Sequence, residues 1–331
     1  MSKPKSLFIL TVDTEEEWDW SGPFPNSNFS VRNADELPAF QNFCQELGVK
    51  PTYLVDYAIA NDDNAAEILK SFDKSKCEIG AHLHPWANPP FHNETSESSS
   101  HVINLPIRYV KEKLDSLMAV IEEKIGVRAK SFRTGRWGIN GDVMTLLKDV
   151  GIDTDSSVYP LYRNDYFSCE NAIRQPYWPS FEDTNKAGQQ QDVYEIPVTC
   201  GFNRSSTKLA QKFHSLMELR PFCWLRINGL FWHTFLLRKI YLSPELSSSS
   251  DMIRLTKTRL KKGQMVFHMY LHSSSLVQQV TGLNDEPNAR EHLCQRIADV
   301  TKFLASKTDI EYCTLSEAKQ RLTQQGSGRE H

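Results

Sequence analysis

The sequence predicts a parallel α/β fold closed into a barrel, and three observations lead there. Compact apolar runs of strand length alternate with amphipathic runs of helix length, the pattern of βα units on a parallel sheet. Seven or eight such units fit into 331 residues, which suits a barrel better than an open sheet. Two of the apolar runs end in alternating Asp, Glu or His, where the active sites of parallel α/β folds gather.

The elements follow in order. "SLFILTV" (6–12) is a buried strand that ends in carboxylates, and "ADELPAFQNFCQELGV" (34–49) has helical spacing and a Gly stop. "KPTYLVD" (50–56) is a second strand, "NAAEILKSF" (64–72) a helix and "CEIGAH" (77–82) a third strand. The polar, Ser-rich "NPPFHNETSESSSHVINLP" (88–106) is a long loop, and its His92 and His101 are expected to be solvated. "IRYVKEKLDSLMAVIEEKIG" (107–126) is one amphipathic helix, "AKSFRTG" (129–135) a strand and "NGDVMTLLKDVG" (140–151) a capped helix. "IDTDSSV" (152–158), "DVYEIPVT" (192–199), "QMVFHMYL" (264–271) and "DIEYCTL" (309–315) complete the strands, with a helix at 285–305. Residues 1–325 are read as one domain and 326–331 as a frayed tail.

Composition narrows the function. At 40% hydrophobic, 24% charged and a formal charge of -3, the chain has the make-up of a soluble globular protein with no general drive toward nucleic acid. Its seven cysteines are odd in number and form no CxxC pair, which suggests free thiols in a reducing compartment. The N-terminal apolar run is too short for a secretory signal, and no run approaches the ~18 residues of a membrane span, so a cytoplasmic protein is expected. Neither a P-loop, a G-x-G-x-x-G nor a G-x-S-x-G elbow is present, which argues against nucleotide chemistry and the serine hydrolase route.

The chemistry sits in two short stretches. In "EIGAHLHPW" (78–86), His82 and His84 are two apart; on a helix they would diverge, but on a strand they share a face. In "TVDTEEEW" (11–18), Thr11, Asp13 and Glu15 share a face by the same period. Two His and one carboxylate with open positions describe a catalytic metal site, and the second carboxylate is then available as a general base. His268 lies inside its strand and is read as a satisfied core residue.

These stretches, with "SFRTGRWG", "GIDTDSSV" and "YLHSSSL", resemble the NodB-homology polysaccharide deacetylases, in particular the WalW-like branch associated with surface polysaccharide synthesis. The resemblance covers about residues 7–160 and 262–316. It implies a distorted (β/α) barrel of about seven parallel strands, with 201–262 as a helical insertion, and a divalent metal, Zn²⁺ foremost, with Co²⁺ or Ni²⁺ also suitable. It implies Asp13 as base, Glu15, His82 and His84 as metal ligands, and Arg133 orienting the base. Asp155 would orient the catalytic His272, which protonates the leaving group or stabilises the oxyanion. Where many members have two adjacent aspartates, this chain has Thr14, so Glu15 takes the ligand's place; the histidines are two apart instead of three or four. Trp86, Arg136 and Trp137 are candidate substrate contacts, Trp137 as a flat apolar face for a sugar ring.

The function that follows is metal-dependent hydrolysis of an acyl group, acetyl above all, from an amino sugar or a lipid-linked glycan intermediate. The alternatives are a metal-independent hydrolase of cyclic amides, like the allantoin-cleaving branches of the superfamily, and a non-catalytic barrel that binds a glycan or a partner. A non-haem iron site also uses two His and one carboxylate, but nothing here suggests its cosubstrate. Residues 201–242 hold seven Lys or Arg against one acid, Glu218, with interleaved aromatics. That composition suits either a packed helical insertion or peripheral contact with an anionic membrane.

Overall fold

The computed structural model describes residues 3–25, 27–92, 94–203, 237–281 and 287–327. The basic, aromatic-rich stretch lies mostly outside the described residues, as does the tail from 328. The strands are β1 (Lys5–Thr14), β2 (Pro51–Val55), β3 (Glu78–Leu83), β4 (Ser131–Thr134), β5 (Thr154–Asp155), β6 (Tyr194–Glu195), β7 (Cys200–Phe202), β8 (Lys239–Tyr241), β9 (Val266–His272) and β10 (Asp309–Tyr312). The helices are α1 (Leu37–Glu46), α2 (Tyr57–Asn61), α3 (Asp63–Ser71), α4 (Ile107–Val120), α5 (Gly141–Asp149), α6 (Ser249–Leu260), α7 (Ala289–Lys307) and α8 (Leu315–Ser327).

Eight strands form one curled, all-parallel sheet in the order β6-β5-β4-β3-β2-β1-β9, with β10 paired to the first half of β1. This is the distorted (β/α) barrel. Its two ends do not form a ladder. They meet through the segment after β6, where Thr199 N–H donates to the His268 carbonyl at 2.9 Å and the Thr199 hydroxyl accepts from His268 N–H at 2.9 Å.

β1 is buried from Ser6 to Thr14, as a central parallel strand must be. Phe8, Leu10 and Val12 pack under the helices, whereas Leu7 and Ile9 fill the lower interior. Thr11 and Asp13 continue the interior face upward, so that face is apolar at the bottom of the barrel and polar at the top. β9 repeats the division: Phe267, Met269 and Leu271 face the helices, and His268, Tyr270 and His272 fall on the other face.

Helix starts follow local chemistry. Asp62 caps α3, Asn140 caps α5 and Ser248 caps α6, each accepting a backbone N–H of the first turn. The short α2, capped by Asp56, was not expected from the sequence. The helix expected over 107–126 widens into a π turn at Ile121–Ile125, closed by Gly126 at φ 80°. The strands expected at 152–158 and 192–199 pair over only two residues each before the chain turns away. Within the expected insertion, β8 pairs antiparallel with β7 and α6 packs beside α7. Among the described residues no helix is long and apolar enough to cross a membrane.

Candidate active site

Strand register brings the polar residues together. Asp13 of β1 pairs with His272 of β9, and His82 of β3 pairs with Arg133 of β4. Glu15, just beyond β1, is fixed by its backbone: its N–H donates to the Ser273 hydroxyl at 3.1 Å, and its carbonyl accepts from the Asn33 amide at 2.9 Å. Asp13, Glu15 and Glu16 are all buried, so this stretch is not a solvated acidic loop.

The donor atoms of Glu15, His82 and His84 lie within 4.8 Å of one another. His82 Nδ1 faces the Arg133 carbonyl at 3.1 Å and must donate to it, which leaves a lone pair on Nε2. That lone pair points at Glu15 Oε2, 3.2 Å away. His84 Nε2 approaches the same oxygen at 3.3 Å. A cation among these atoms turns the lone-pair opposition into attraction, so the donor set fits a divalent metal. Without one, Glu15 leans on His84. Burial opposes the charged imidazole, but Glu16 and Glu15 outweigh it and hold His84 well above its ordinary range.

Glu16 went unassigned in the sequence, and it orients His84. Its two oxygens lie 3.1 and 2.9 Å from His84 Nδ1, and one accepts the Trp86 indole N–H at 2.5 Å. Burial, with the neighbouring Glu16 adding, pushes the Asp56 carboxyl well above the carboxylate range. Glu16, Asp56 and His84 are thus a carboxylate–histidine support for the Nε2 that faces Glu15. Gly135 is obligatory here, because a Cβ would lie 1.9 Å from His84 Cδ2.

Arg133 is fully buried and crosses the barrel interior. Its Nη1 donates to Asp13 Oδ1 at 2.5 Å, and Nε and Nη2 donate to the Ser156 carbonyl and hydroxyl, both at 2.9 Å. His268 lies beside it and is a core histidine. It donates from Nδ1 to the Ile196 carbonyl at 3.1 Å and accepts from the Thr11 hydroxyl at 3.0 Å; burial and Arg133 hold it neutral.

His272 is held by a residue the sequence did not reveal. Nδ1 lies 2.7 Å from Glu245 Oε1, and its backbone N–H donates to Glu245 Oε2 at 3.1 Å. Nε2 faces Asp13 Oδ2 at 3.6 Å. Burial disfavours charge on this ring, but Glu245, Glu15 and Asp13 together outweigh it, Glu245 foremost among them, and the pKa is pushed up to about 10.

The place expected for Asp155 is therefore filled by Glu245. Asp155 instead accepts from the Ser157 hydroxyl at 2.7 Å and its backbone N–H at 3.1 Å, and pairs with the buried Glu195 carboxyl. Its two-residue strand keeps it within the β5–β6 edge, and no contact links it to His272.

A cavity of about 210 Å³ opens above these groups, lined among others by Glu15, His84, His272 and Tyr270. Asp13 lies one layer deeper, 1% exposed. Trp86 reaches the lining but stacks on His84 at 4.2 Å. Trp137 lines the cavity, as expected, while its ring also stacks on Tyr159 at 4.2 Å and carries the Arg133 guanidinium over it at 4.7 Å. Arg136 also lines the cavity and holds the Ser-rich loop, donating to Glu97 at 2.8 Å and the Ser100 hydroxyl at 2.9 Å. Trp18 and Trp20 complete the rim, the latter 4.7 Å from the His272 ring.

No family model matches the chain, and no curated protein matches it. Solved structures do. A Mycobacterium smegmatis protein assigned as a polysaccharide deacetylase is 14% identical, covers 98% of this chain and 92% of its own, and superposes with a TM-score of 0.56. A Parabacteroides distasonis protein assigned as a glycoside hydrolase/deacetylase is 12% identical, covers 96% and 70%, and reaches 0.61. At these identities the likeness establishes the fold.

Proposed function

We propose that this chain is a metal-dependent hydrolase that removes an acyl group, acetyl foremost, from an amino sugar or glycan intermediate of surface polysaccharide synthesis. The observation that carries the reading is the convergence of Glu15, His82 and His84, two of them (Glu15 and His84) in a cavity wall, with Asp13–Arg133 below and His272–Glu245 beside it. The deacetylase assignments of the two structural relatives favour the same reading.

Glu15 Oε2 and the two Nε2 atoms would hold the ion, Zn²⁺ being the first candidate for this donor set. When bound, it supplies Lewis acidity to an acyl carbonyl and acidity to a water. The protein's own groups do the rest. Arg133 takes Asp13 Oδ1, leaving Oδ2 to accept the proton of the attacking water. His272, charged at neutral pH with Nδ1–H on Glu245, presents Nε2–H to the developing oxyanion and then to the departing amine.

The test is metal content by mass spectrometry on protein purified without a metal-affinity tag, with acetate release from N-acetylhexosamine glycosides measured alongside. About one metal per chain, lost in a His82→Ala/His84→Ala variant together with acetate release, is the expected result. No metal after Zn²⁺, Co²⁺ or Ni²⁺ reconstitution refutes it and leaves metal-independent amide hydrolysis or glycan binding.

A further inference from the structure

The turn that leaves the second histidine poses a backbone problem. In "HPWANPP" (84–90) three of seven residues are prolines, which carry no N–H, so the turn has few donors of its own and its carbonyls need them from elsewhere. Water does not supply them, because Pro85 to Asn88 are buried. One side chain does. Lys113 of α4, 4% exposed, places Nζ 2.9 Å from the Pro85 carbonyl, 2.5 Å from that of Asn88 and 2.8 Å from that of Pro90. An ammonium has three hydrogens to donate, and here it meets three acceptors. Asn88 returns the tie, its amide donating to the Lys113 carbonyl at 2.8 Å. The exposed Phe91 ring lies over the same ammonium at 5.3 Å.

A lysine is costly to bury, and no step of the proposed reaction uses this one. Burial pushes its pKa down to about 8, with Glu112 opposing, so the ammonium form prevails at neutral pH. What it holds is the support of His84. Pro85 follows His84 directly. The next residue, Trp86, stacks on the His84 ring at 4.2 Å and donates its indole N–H to Glu16, whose oxygens also hold His84 Nδ1. The far nitrogen of that ring, Nε2, lies 3.3 Å from Glu15.

From this arrangement we infer that Lys113 is a positioning residue for His84: by gathering the Pro85, Asn88 and Pro90 carbonyls it sets the turn that lays Trp86 on the imidazole and keeps Nε2 toward Glu15. It acts through Pro85 and Trp86 and touches neither substrate nor metal. The inference takes His84 as a metal ligand from the reading above.

Lys113→Met keeps the aliphatic stem and removes all three donors. Lys113→Gln keeps two donors without the charge, and carries the test if Lys113→Met yields too little folded protein. Leu304→Ala, on the buried face of α7, controls for lost stability alone. The first readout needs no metal. In protein labelled with carbon-13 at histidine Cε1, the His84 signal, assigned by its loss in His84→Ala, feels the ring current of Trp86. It should move in both Lys113 variants and stay in place in Leu304→Ala. The second readout is Zn²⁺ affinity by chelator competition at neutral pH, which should fall ~10-fold or more in Lys113→Met and less than ~3-fold in Leu304→Ala. An unmoved His84 signal, an equal movement in Leu304→Ala, or a Lys113→Met affinity within about 3-fold of the parent's overturns the inference and leaves the deacetylase reading intact. A parent that binds no Zn²⁺ overturns that reading, and the His84 signal alone then decides whether Lys113 holds the ring.

Discussion

Replacing Glu245 with Gln removes the charge that holds His272 and leaves a side chain of the same shape. Glu245 supplies both a 2.7 Å hydrogen bond to Nδ1 and the largest of the attractions that raise the pKa. The difference between about 10 and the ordinary 6.5 is worth ~4–5 kcal/mol at the ceiling, and the residue is buried enough that water screens little of it. In Glu245→Gln the pKa should fall most of the way back toward 6.5, since Gln still accepts Nδ1–H but carries no charge. The alkaline limb of kcat, set in the parent by loss of the His272 proton near pH 10, should move down with it. At pH 9 the variant should lose ~10- to 100-fold in kcat, and at pH 6 only a few-fold.

Stability gives an independent check. A histidine whose folded pKa is raised contributes stability that is fully present below 6.5 and lost as pH rises through about 10. The parent should thus exceed the variant most below pH 6.5, and the gap should close toward pH 10. A pH–rate profile and urea denaturation at several pH values make both measurements. An alkaline limb that stays in place, or a stability gap independent of pH, would refute the assignment of Glu245 as the group that charges His272.

Three further outcomes follow from the geometry. Arg133→Met leaves the Asp13 carboxylate buried without its cation and should cost ~3–5 kcal/mol in chemical denaturation; a loss below about 1 would mean the pair is not desolvated. Glu16→Gln loosens the orientation of His84 and should weaken Zn²⁺ binding ~10- to 100-fold in a chelator competition, while His82→Ala weakens it more. Gly135→Ala drives a methyl into His84 and should abolish metal binding, with far-UV circular dichroism near the parent's; retained metal would show that the His84 ring can move aside.

The sequence exposes the site only where strand periodicity does the sorting. Thr11, Asp13 and Glu15, and again His82 and His84, could be assigned to one face because β1 and β3 run straight into them. The strands around Asp155 and Tyr194 are too short for such a rule, and Asp155 was given a task that Glu245 performs. Nothing local marks Glu245 in "YLSPELS"; it meets His272 across 27 residues. The signal that could have raised it is chemical: a histidine acting as an acid needs a buried anion, and this one follows a short strand. Glu16 could not be told from Glu15 and Glu17 by residue type. His101 looked solvated because its neighbours are Ser and Asn, and the aromatics that bury it lie some 65 residues further on.

The barrel is a split ring. Its β6 and β9 ends are clasped at Thr199, His268 and Ile196, where the other neighbours are zipped by ladders. Stress on the interior concentrates at that clasp, and His268 fastens it from within: it ties Ile196 to Thr11 and lies beside Arg133, which in turn fixes Asp13. Opening the ring at that point would also unseat Asp13. β7 begins one residue after Thr199 and pairs with β8, so a pull on that hairpin is felt first at the seam that holds Asp13.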